Sequence, residues 1–245
     1  PEYYFSLQGT WMAGCVTAGI YTTNSPEACE YVLQHSEAKV CVCQSGKSAK
    51  KIISLRDSLP QLKAIVVYWP EEDMPTFEDK EGVAKVYLWK DFQELGADIA
   101  ESAVDSRIDA IQPGSCATLI YTSGTTGNPK GVMCSHDGCM FNAQNERYYL
   151  QLNDEDRFIS FLPLNHIAAQ YVDTMIPVAN RVTMYLARPD ALRGTLVATL
   201  RKARPTFFVA VPRVYEKFME AIRAKNAQSS YLKQYLLSWI EYIGL

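Results

Sequence analysis

The sequence has no run of about 18 consecutive apolar residues, the length that a bilayer-spanning helix needs. It has no basic stretch leading into an apolar core near its start, so no secretory signal is read from it. An excess of either charge is also lacking. With 24 Lys and Arg against 27 Asp and Glu, the net charge is −3, which gives no electrostatic footprint for a nucleic acid. There is no Asn-x-Ser/Thr acceptor, no internal repeat and no low-complexity tract. Cysteine is present, but the 7 residues are an odd number in a chain too long to depend on a disulfide framework, and Cys41 and Cys43 sit in strand-like surroundings. Reduced, buried thiols in a cytoplasmic protein are the expectation. The remaining composition, 48% hydrophobic and 21% charged over 245 residues, excludes global disorder and a collagen-like fibre. It suffices for one large core or two smaller ones. The chain starts on Pro1 and stops at Leu245 just after an aromatic-rich helical pattern, so a piece of a longer protein is expected.

Strand-like and helix-like segments alternate along the chain. Short β-branched or aromatic runs at 39–43, 64–68, 118–122, 157–161, 182–186 and 207–211 read as strands. Helical spacing appears over 47–59, 190–203 and 212–225, and Ser25-Pro26-Glu27 reads as a helix start with Ser25 as cap. This order predicts an α/β fold of largely parallel sheets flanked by helices. The acidic, proline-containing stretch 70–82 reads as a surface loop. Charge is unevenly spread: 71–109 holds twelve acids against four bases, and 188–225 holds nine bases against three acids. Two solvated faces account for this; a basic half meeting phosphates or an anionic membrane surface is the sharper alternative.

The segment with most chemical content is Tyr121-Thr122-Ser123-Gly124-Thr125-Thr126-Gly127-Asn128-Pro129-Lys130-Gly131. An apolar strand runs into a loop rich in Gly and hydroxyls, followed by Lys130 and a second strand. Glycines permit close backbone approach, and successive N–H groups can form an anion-binding concavity. The hydroxyls of Thr122, Ser123, Thr125 and Thr126 add donors, and Lys130 adds a point charge. Such a set suits a polyphosphate, although on composition alone a plain turn between two strands fits as well. It is not a Walker A loop, because Pro129 precedes Lys130 and Gly131 follows it, leaving no magnesium-binding hydroxyl. Cys134-x-His136-x-x-Cys139 has only three ligands and no second pair, so no metal site is expected there.

The eleven-residue string resembles the phosphate-loop signature of the adenylate-forming (AMP-binding) superfamily. Gly19-Ile20-Tyr21-Thr22-Thr23-Asn24-Ser25-Pro26-Glu27-Ala28 is similar to the fatty acyl-CoA synthetase form of an upstream motif. Leu162-Pro163-Leu164-Asn165-His166-Ile167-Ala168-Ala169-Gln170, Arg188-Pro189-Asp190-Ala191-Leu192 and Val211-Pro212-Arg213-Val214-Tyr215-Glu216-Lys217 resemble the bubblegum-type long-chain and very-long-chain acyl-CoA synthetases. Asn165 and Tyr215 depart from the pattern, where Ser and Trp are expected.

The resemblance implies a fatty-acid–CoA ligase using ATP, Mg2+ and CoA on a long-chain or very-long-chain fatty acid. It implies that residues 1–245 are an incomplete N-terminal AMP-binding domain, with a first subdomain portion at 1–112 and a loop-bearing portion at 113–245. By the same resemblance, Thr122, Ser123, Gly124, Thr125, Thr126, Gly127, Asn128, Pro129 and Lys130 surround the β- and γ-phosphates, magnesium being held mainly by the phosphates. His166 stands beside the acyl and nucleotide pockets as the catalytic candidate; a histidine satisfied by backbone is the alternative. Arg213 reaches a ligand or forms a surface ion pair with Glu216 or Glu220. The family's later aromatic-Gly-x-Thr-Glu segment, ribose-binding Asp and C-terminal domain do not appear in these residues, so the chain alone is expected to be inactive. A non-catalytic nucleotide- or lipid-binding remnant, or an adenylation enzyme for another carboxylic acid, remain alternatives. Residues 228–243 place Leu232, Leu236, Trp239, Ile240 and Ile243 on one helical face, for packing or for peripheral contact with a lipid surface such as the endoplasmic reticulum membrane.

Overall fold

The computed structural model describes residues 1–69, 74, 76–122, 128–231 and 234–235. It divides into two compact units, Pro1–Thr206 and Phe207–Leu245. The sequence-read face of Leu232, Leu236, Trp239, Ile240 and Ile243 lies outside the described residues. Among the described residues, no helix is long and apolar enough to cross a membrane.

The first unit opens with helix α1 (Glu2–Met12), the two-residue strand β1 (Thr17–Ala18) and helix α2 (Pro26–His35). Ser25 caps α2, its Oγ accepting from the Ala28 N–H at 3.3 Å, and Pro26 fills the first helical position, where its missing N–H costs nothing. Strand β2 (Val40–Gln44), helix α3 (Lys47–Ser54), strand β3 (Ala64–Tyr68) and strand β4 (Lys85–Leu88) follow. The three strands form a parallel sheet in the order β2–β3–β4, with Val40 opposite Ala64 and Ala64 opposite Lys85. Ile65, Val66 and Val67 are fully buried, as a central parallel strand covered on both faces requires. Cys29 and Leu33 of α2, Ala49, Ile52 and Ile53 of α3, and Cys41, Cys43, Ile65 and Val67 of the sheet form one core. The helical spacing over 47–59 is thus split: α3 ends at Ser54 and a 3-10 turn covers Arg56–Ser58.

Helices α4 (Trp89–Glu94) and α5 (Glu101–Asp109) lead to strand β5 (Cys116–Thr122) and strand β6 (Lys130–Ser135). A second sheet has the order β1–β5–β6, with β1 parallel and β6 antiparallel to β5. Helix α6 (His136–Leu150) follows directly, its N-terminus capped by Ser135. Strand β7 (Arg157–Ser160) pairs in parallel with β8 (Thr183–Leu186). Between them lie α7 (Ile167–Gln170), a π-helical turn (Tyr171–Met175) and α8 (Ile176–Asn180). The helical pattern over 190–203 is broken. A 3-10 turn spans Ala191–Arg193, Gly194 takes φ +130°, and α9 begins only at Leu196, ending at Ala203.

The second unit contains α10 (Pro212–Ala227), with Pro212 at its first position. The strand expected at 207–211 is not one among the described residues. Aromatic and β-branched residues favour a pleated surface, but a strand exists only where a neighbour supplies the hydrogen-bond ladder.

Candidate functional site

Strand β5 carries the glycine-rich loop, and three sets of contacts fix it. The Trp11 Nε1–H donates to the Ala117 carbonyl at 2.8 Å, and the Thr17 hydroxyl donates to the same oxygen at 3.3 Å. Strand β1 adds parallel pairing, Thr17 opposite Thr118 and Ala18 opposite Leu119. The third contact is buried: the Thr118 hydroxyl donates to Gln170 Oε1 at 3.4 Å.

The antiparallel register places Thr122 directly opposite Lys130 and Tyr121 opposite Gly131. The two ends of the loop are therefore cross-strand neighbours, and both Thr122 and Lys130 are exposed. A hydroxyl donor and an ammonium stand side by side at the mouth. Asn128 is exposed and Pro129 half-buried just before β6. Ser123, Gly124, Thr125, Thr126 and Gly127 lie outside the described residues.

His166 precedes α7 as its N-cap. Its Nδ1 accepts from the Ala168 N–H at 3.2 Å, which leaves the proton of the neutral ring on Nε2. Its backbone is held by the Pro163 carbonyl at 3.1 Å, and its ring is exposed. The turn before it is tied to β5 by a relay. Thr118 donates to Gln170, Gln170 Nε2 donates to the Tyr3 hydroxyl at 3.3 Å, and Tyr3 donates to the Leu164 carbonyl at 2.9 Å. Gln170 and Tyr3 each accept one bond and donate the next, an arrangement in which bonds polarise one another. Burial pushes the Tyr3 pKa up to about 12, so the phenol keeps its proton.

Chain following β1 closes on the same turn. A Cβ built on Gly19 would lie 3.1 Å from the Asn165 Cβ and 3.2 Å from its Cα, so any larger residue would force Asn165 to give by a few tenths of an ångström. The segment after β1, the loop-bearing strand and the turn carrying His166 are thereby brought together.

Beneath α7, Asp173 of the π-helical turn is 2% exposed. The Ser160 hydroxyl donates to its Oδ2 at 2.6 Å. Burial dominates and raises its pKa to about 7, while the Ser160 hydrogen bond opposes the shift.

The remaining candidates separate. In the second unit, Arg213 pairs with Glu216 at 2.8 Å and with Glu220 at 3.5 Å, the surface ion pairs that its spacing allows. Cys134 lies in β6, whereas His136 begins α6 and meets the Trp11 ring edge-on at 6.2 Å. Burial lowers the His136 pKa and pushes that of Cys139 up to about 11. Among the described residues, no three His, Cys, Asp or Glu side chains could hold a metal ion together.

Sequence reasoning assigned no role to Tyr3, Trp11 or Asp173. Gln170 and Asp173 carried a usable signal, since each is a polar residue inside the mainly apolar stretch 167–178, where a buried polar group needs a partner. Tyr3 and Trp11 carried none, because their partners stand 161 and 106 residues away.

A family profile described as AMP-binding enzyme matches residues 1–241. The chain is 43% identical over 248 residues to the long-chain-fatty-acid–CoA ligase ACSBG2 of Xenopus laevis, covering all of this chain and 33% of that protein. It is 44% identical over 252 residues to the long-chain-fatty-acid–CoA ligase ACSBG1 of Rattus norvegicus, covering 34% of that protein. The chain thus spans about a third of the length of the curated relatives it matches. Among solved structures, VinN matches with a TM-score of 0.63 at 20% identity, over 91% of this chain and 48% of VinN. The anthranilate CoA ligase AuaEII in complex with anthranoyl-AMP matches with a TM-score of 0.61 at 22% identity, over 83% of this chain and 36% of that one. At these identities the likeness establishes the shared α/β fold.

Proposed function

The chain belongs to the AMP-binding enzyme family, and from that premise we propose that it is the phosphate-binding part of a long-chain fatty-acid–CoA ligase. The intact protein would convert ATP, a long-chain or very-long-chain carboxylate and CoA into acyl-CoA, AMP and pyrophosphate through an acyl-adenylate. The observation that carries the reading is the pairing of Thr122 with Lys130 across the mouth of the glycine-rich loop. The names and the 43–44% identity of the relatives support the choice of a fatty acid as the carboxylate.

The chemistry explains why such a mouth is useful. Oxide leaves a carboxylate poorly, whereas AMP leaves an acyl-adenylate well. Forming that adenylate releases pyrophosphate, whose growing charge needs donors already in position. Lys130 and the Thr122 hydroxyl fill that role, together with the donors of Ser123, Gly124, Thr125, Thr126, Gly127 and Asn128; Pro129, which has no N–H, shapes the end of the loop. His166 orients the carboxylate: its Nδ1 is spent on capping α7, so Nε2–H is the donor available for an anionic oxygen. Magnesium enters as part of the nucleotide substrate, held by the phosphates; the described residues offer no three-ligand site for it. The division into portions 1–112 and 113–245, a cytoplasmic location and peripheral contact with the endoplasmic reticulum membrane belong to the same proposal. So does the inactivity of residues 1–245 by themselves.

The test is fatty-acid-dependent ATP–pyrophosphate exchange by the full-length protein across an acyl chain-length series, with a Lys130→Ala variant beside it. The expected result is exchange that needs a long-chain acid and falls about 10²–10³-fold in the variant. Exchange supported only by short or aromatic acids would replace the substrate assignment. Full activity in the variant would remove Lys130 from the site.

A further inference from the structure

His35 is the last residue of α2, and its Nδ1 lies 2.8 Å from the hydroxyl of Tyr121, the residue immediately before Thr122. The imidazole is gripped from two sides. Tyr31, one turn earlier on α2, stacks on it at 5.4 Å with the ring planes 30° apart. Tyr121 meets it edge-on at 5.7 Å and 81°. The Tyr121 ring then continues over Gly131, where a built Cβ would lie 3.4 Å from Cζ and 3.6 Å from the hydroxyl oxygen. Among the described residues, strand β6 is an outer strand of its sheet. A glycine there contributes no side chain to the ladder, and an aromatic ring from the facing strand supplies the missing packing. Tyr121 therefore joins α2 to both strands of the hairpin, one residue before Thr122 and one cross-strand position from Lys130. Tyr121 is buried, whereas the Thr122–Lys130 pair beside it is exposed.

We propose that His35 and Tyr121 are positioning residues for triphosphate binding: their hydrogen bond holds the ring over Gly131 and so fixes the spacing of Thr122 and Lys130 at the loop mouth. This rests on the reading of the loop as a phosphate site and adds to it a control point on α2, outside the signature string. A neutral hydrogen bond of this kind corresponds to an effect of about two- to tenfold. The effect falls on the nucleotide, because the contact touches the hairpin, and not on the acyl substrate.

The experiment uses the full-length protein and the variants His35→Ala, Tyr121→Phe, their double mutant and His35→Asn. The Phe variant keeps the ring on Gly131 and loses only the hydroxyl, with its bond to His35 and its further bond to Ser36; the Asn side chain offers an acceptor near the Nδ1 position. Pyrophosphate exchange gives kcat and KM for MgATP and for the fatty acid, calorimetry gives the Kd of MgATP, and thermal melting gives the folded fraction. The expected result is a two- to tenfold rise in KM or Kd for MgATP in His35→Ala and in Tyr121→Phe, about the size of one hydrogen bond. The double mutant is no worse than Tyr121→Phe, KM for the acid is unchanged, and His35→Asn recovers part of the loss. Variants that melt earlier but handle MgATP like the parent would overturn the proposal, leaving a structural contact only. Additive losses in the double mutant would overturn it equally, since the two side chains would then act separately. If the parent shows no exchange with any acid, the ligase reading fails, and the MgATP Kd decides: weaker binding in the variants sustains the positioning role, and equal binding or none removes it.

Discussion

Replacing Asp173 with Asn gives a stability change whose sign depends on pH. The carboxyl is 2% exposed, receives one hydrogen bond from Ser160, and has its pKa raised by burial from 3.8 to about 7. The folded protein therefore holds this proton more tightly than the unfolded chain does. The stabilisation is complete below about pH 4, declines as pH rises toward 7, and is gone above it. The interval is about three pH units, so the full effect is on the order of 4 kcal/mol. The amide that replaces the carboxyl cannot ionise and can still accept from Ser160. The D173N variant should match the parent, or fall slightly below it, at about pH 4 and below, already exceed it by about 1–2 kcal/mol near pH 5, and exceed it by a few kcal/mol near pH 8. Urea unfolding of both proteins over a pH series reads the effect, because other titrations cancel in the difference. A difference that stays constant with pH, or a variant that loses stability as pH rises, would refute the account of Asp173 as a buried, proton-retaining carboxyl. Ser160→Ala should act in the opposite direction to D173N at high pH, since it removes the hydrogen bond that favours the ionised form.

Three further outcomes are expected. Gly19→Ala forces a Cβ to within 3.1–3.3 Å of Asn165 atoms, two of them backbone, and should cost about 1–3 kcal/mol in thermal melting while lowering exchange activity more than a distant change of equal cost. Gln170→Leu strands the Thr118 hydroxyl without its partner and breaks the link to Tyr3; a loss of about 1–3 kcal/mol in denaturant unfolding is expected, and a neutral result would show that the relay is dispensable. Native alkylation followed by mass spectrometry should label the exposed Cys15 well before Cys41 and Cys43, which are buried, with the Cys43 pKa pushed up to about 12.

Local signals were enough for some elements. The run Ala64–Tyr68 has its ends where β-branched character begins and stops, and Ser25-Pro26 marks a helix start by chemistry that needs no partner. Elements that depend on distant contacts were hidden. Helix α1 buries only Leu7 within its span, so its apolar residues give no one-sided pattern to read. Strand β1 has two residues and exists because β5 lies beside it. Conversely, the aromatic run at 207–211 had a strand's composition but forms no strand among the described residues. For the site, the loop was recognisable through its residue string, not through glycine spacing, which fits a plain turn equally well. The supports of His166 and Tyr121 were beyond reach, because no spacing rule joins Tyr3 to Leu164 or His35 to Tyr121.

The two three-stranded sheets differ in how much chain they enclose, and this sets an order of assembly. All strands of β2–β3–β4 come from within 49 consecutive residues, Val40 to Leu88, whereas β1 must wait for a partner whose register begins at Thr118. Pairings between neighbours in sequence close quickly, and those spanning a hundred residues are delayed by the entropy of the intervening loop. On a ribosome, the β2–β3–β4 sheet with α2 and α3 can therefore consolidate while β5 is still unmade, and the β5–β6 hairpin receives β1 as a late addition. Pulse-labelled hydrogen exchange during refolding should accordingly protect Val66 before Leu119.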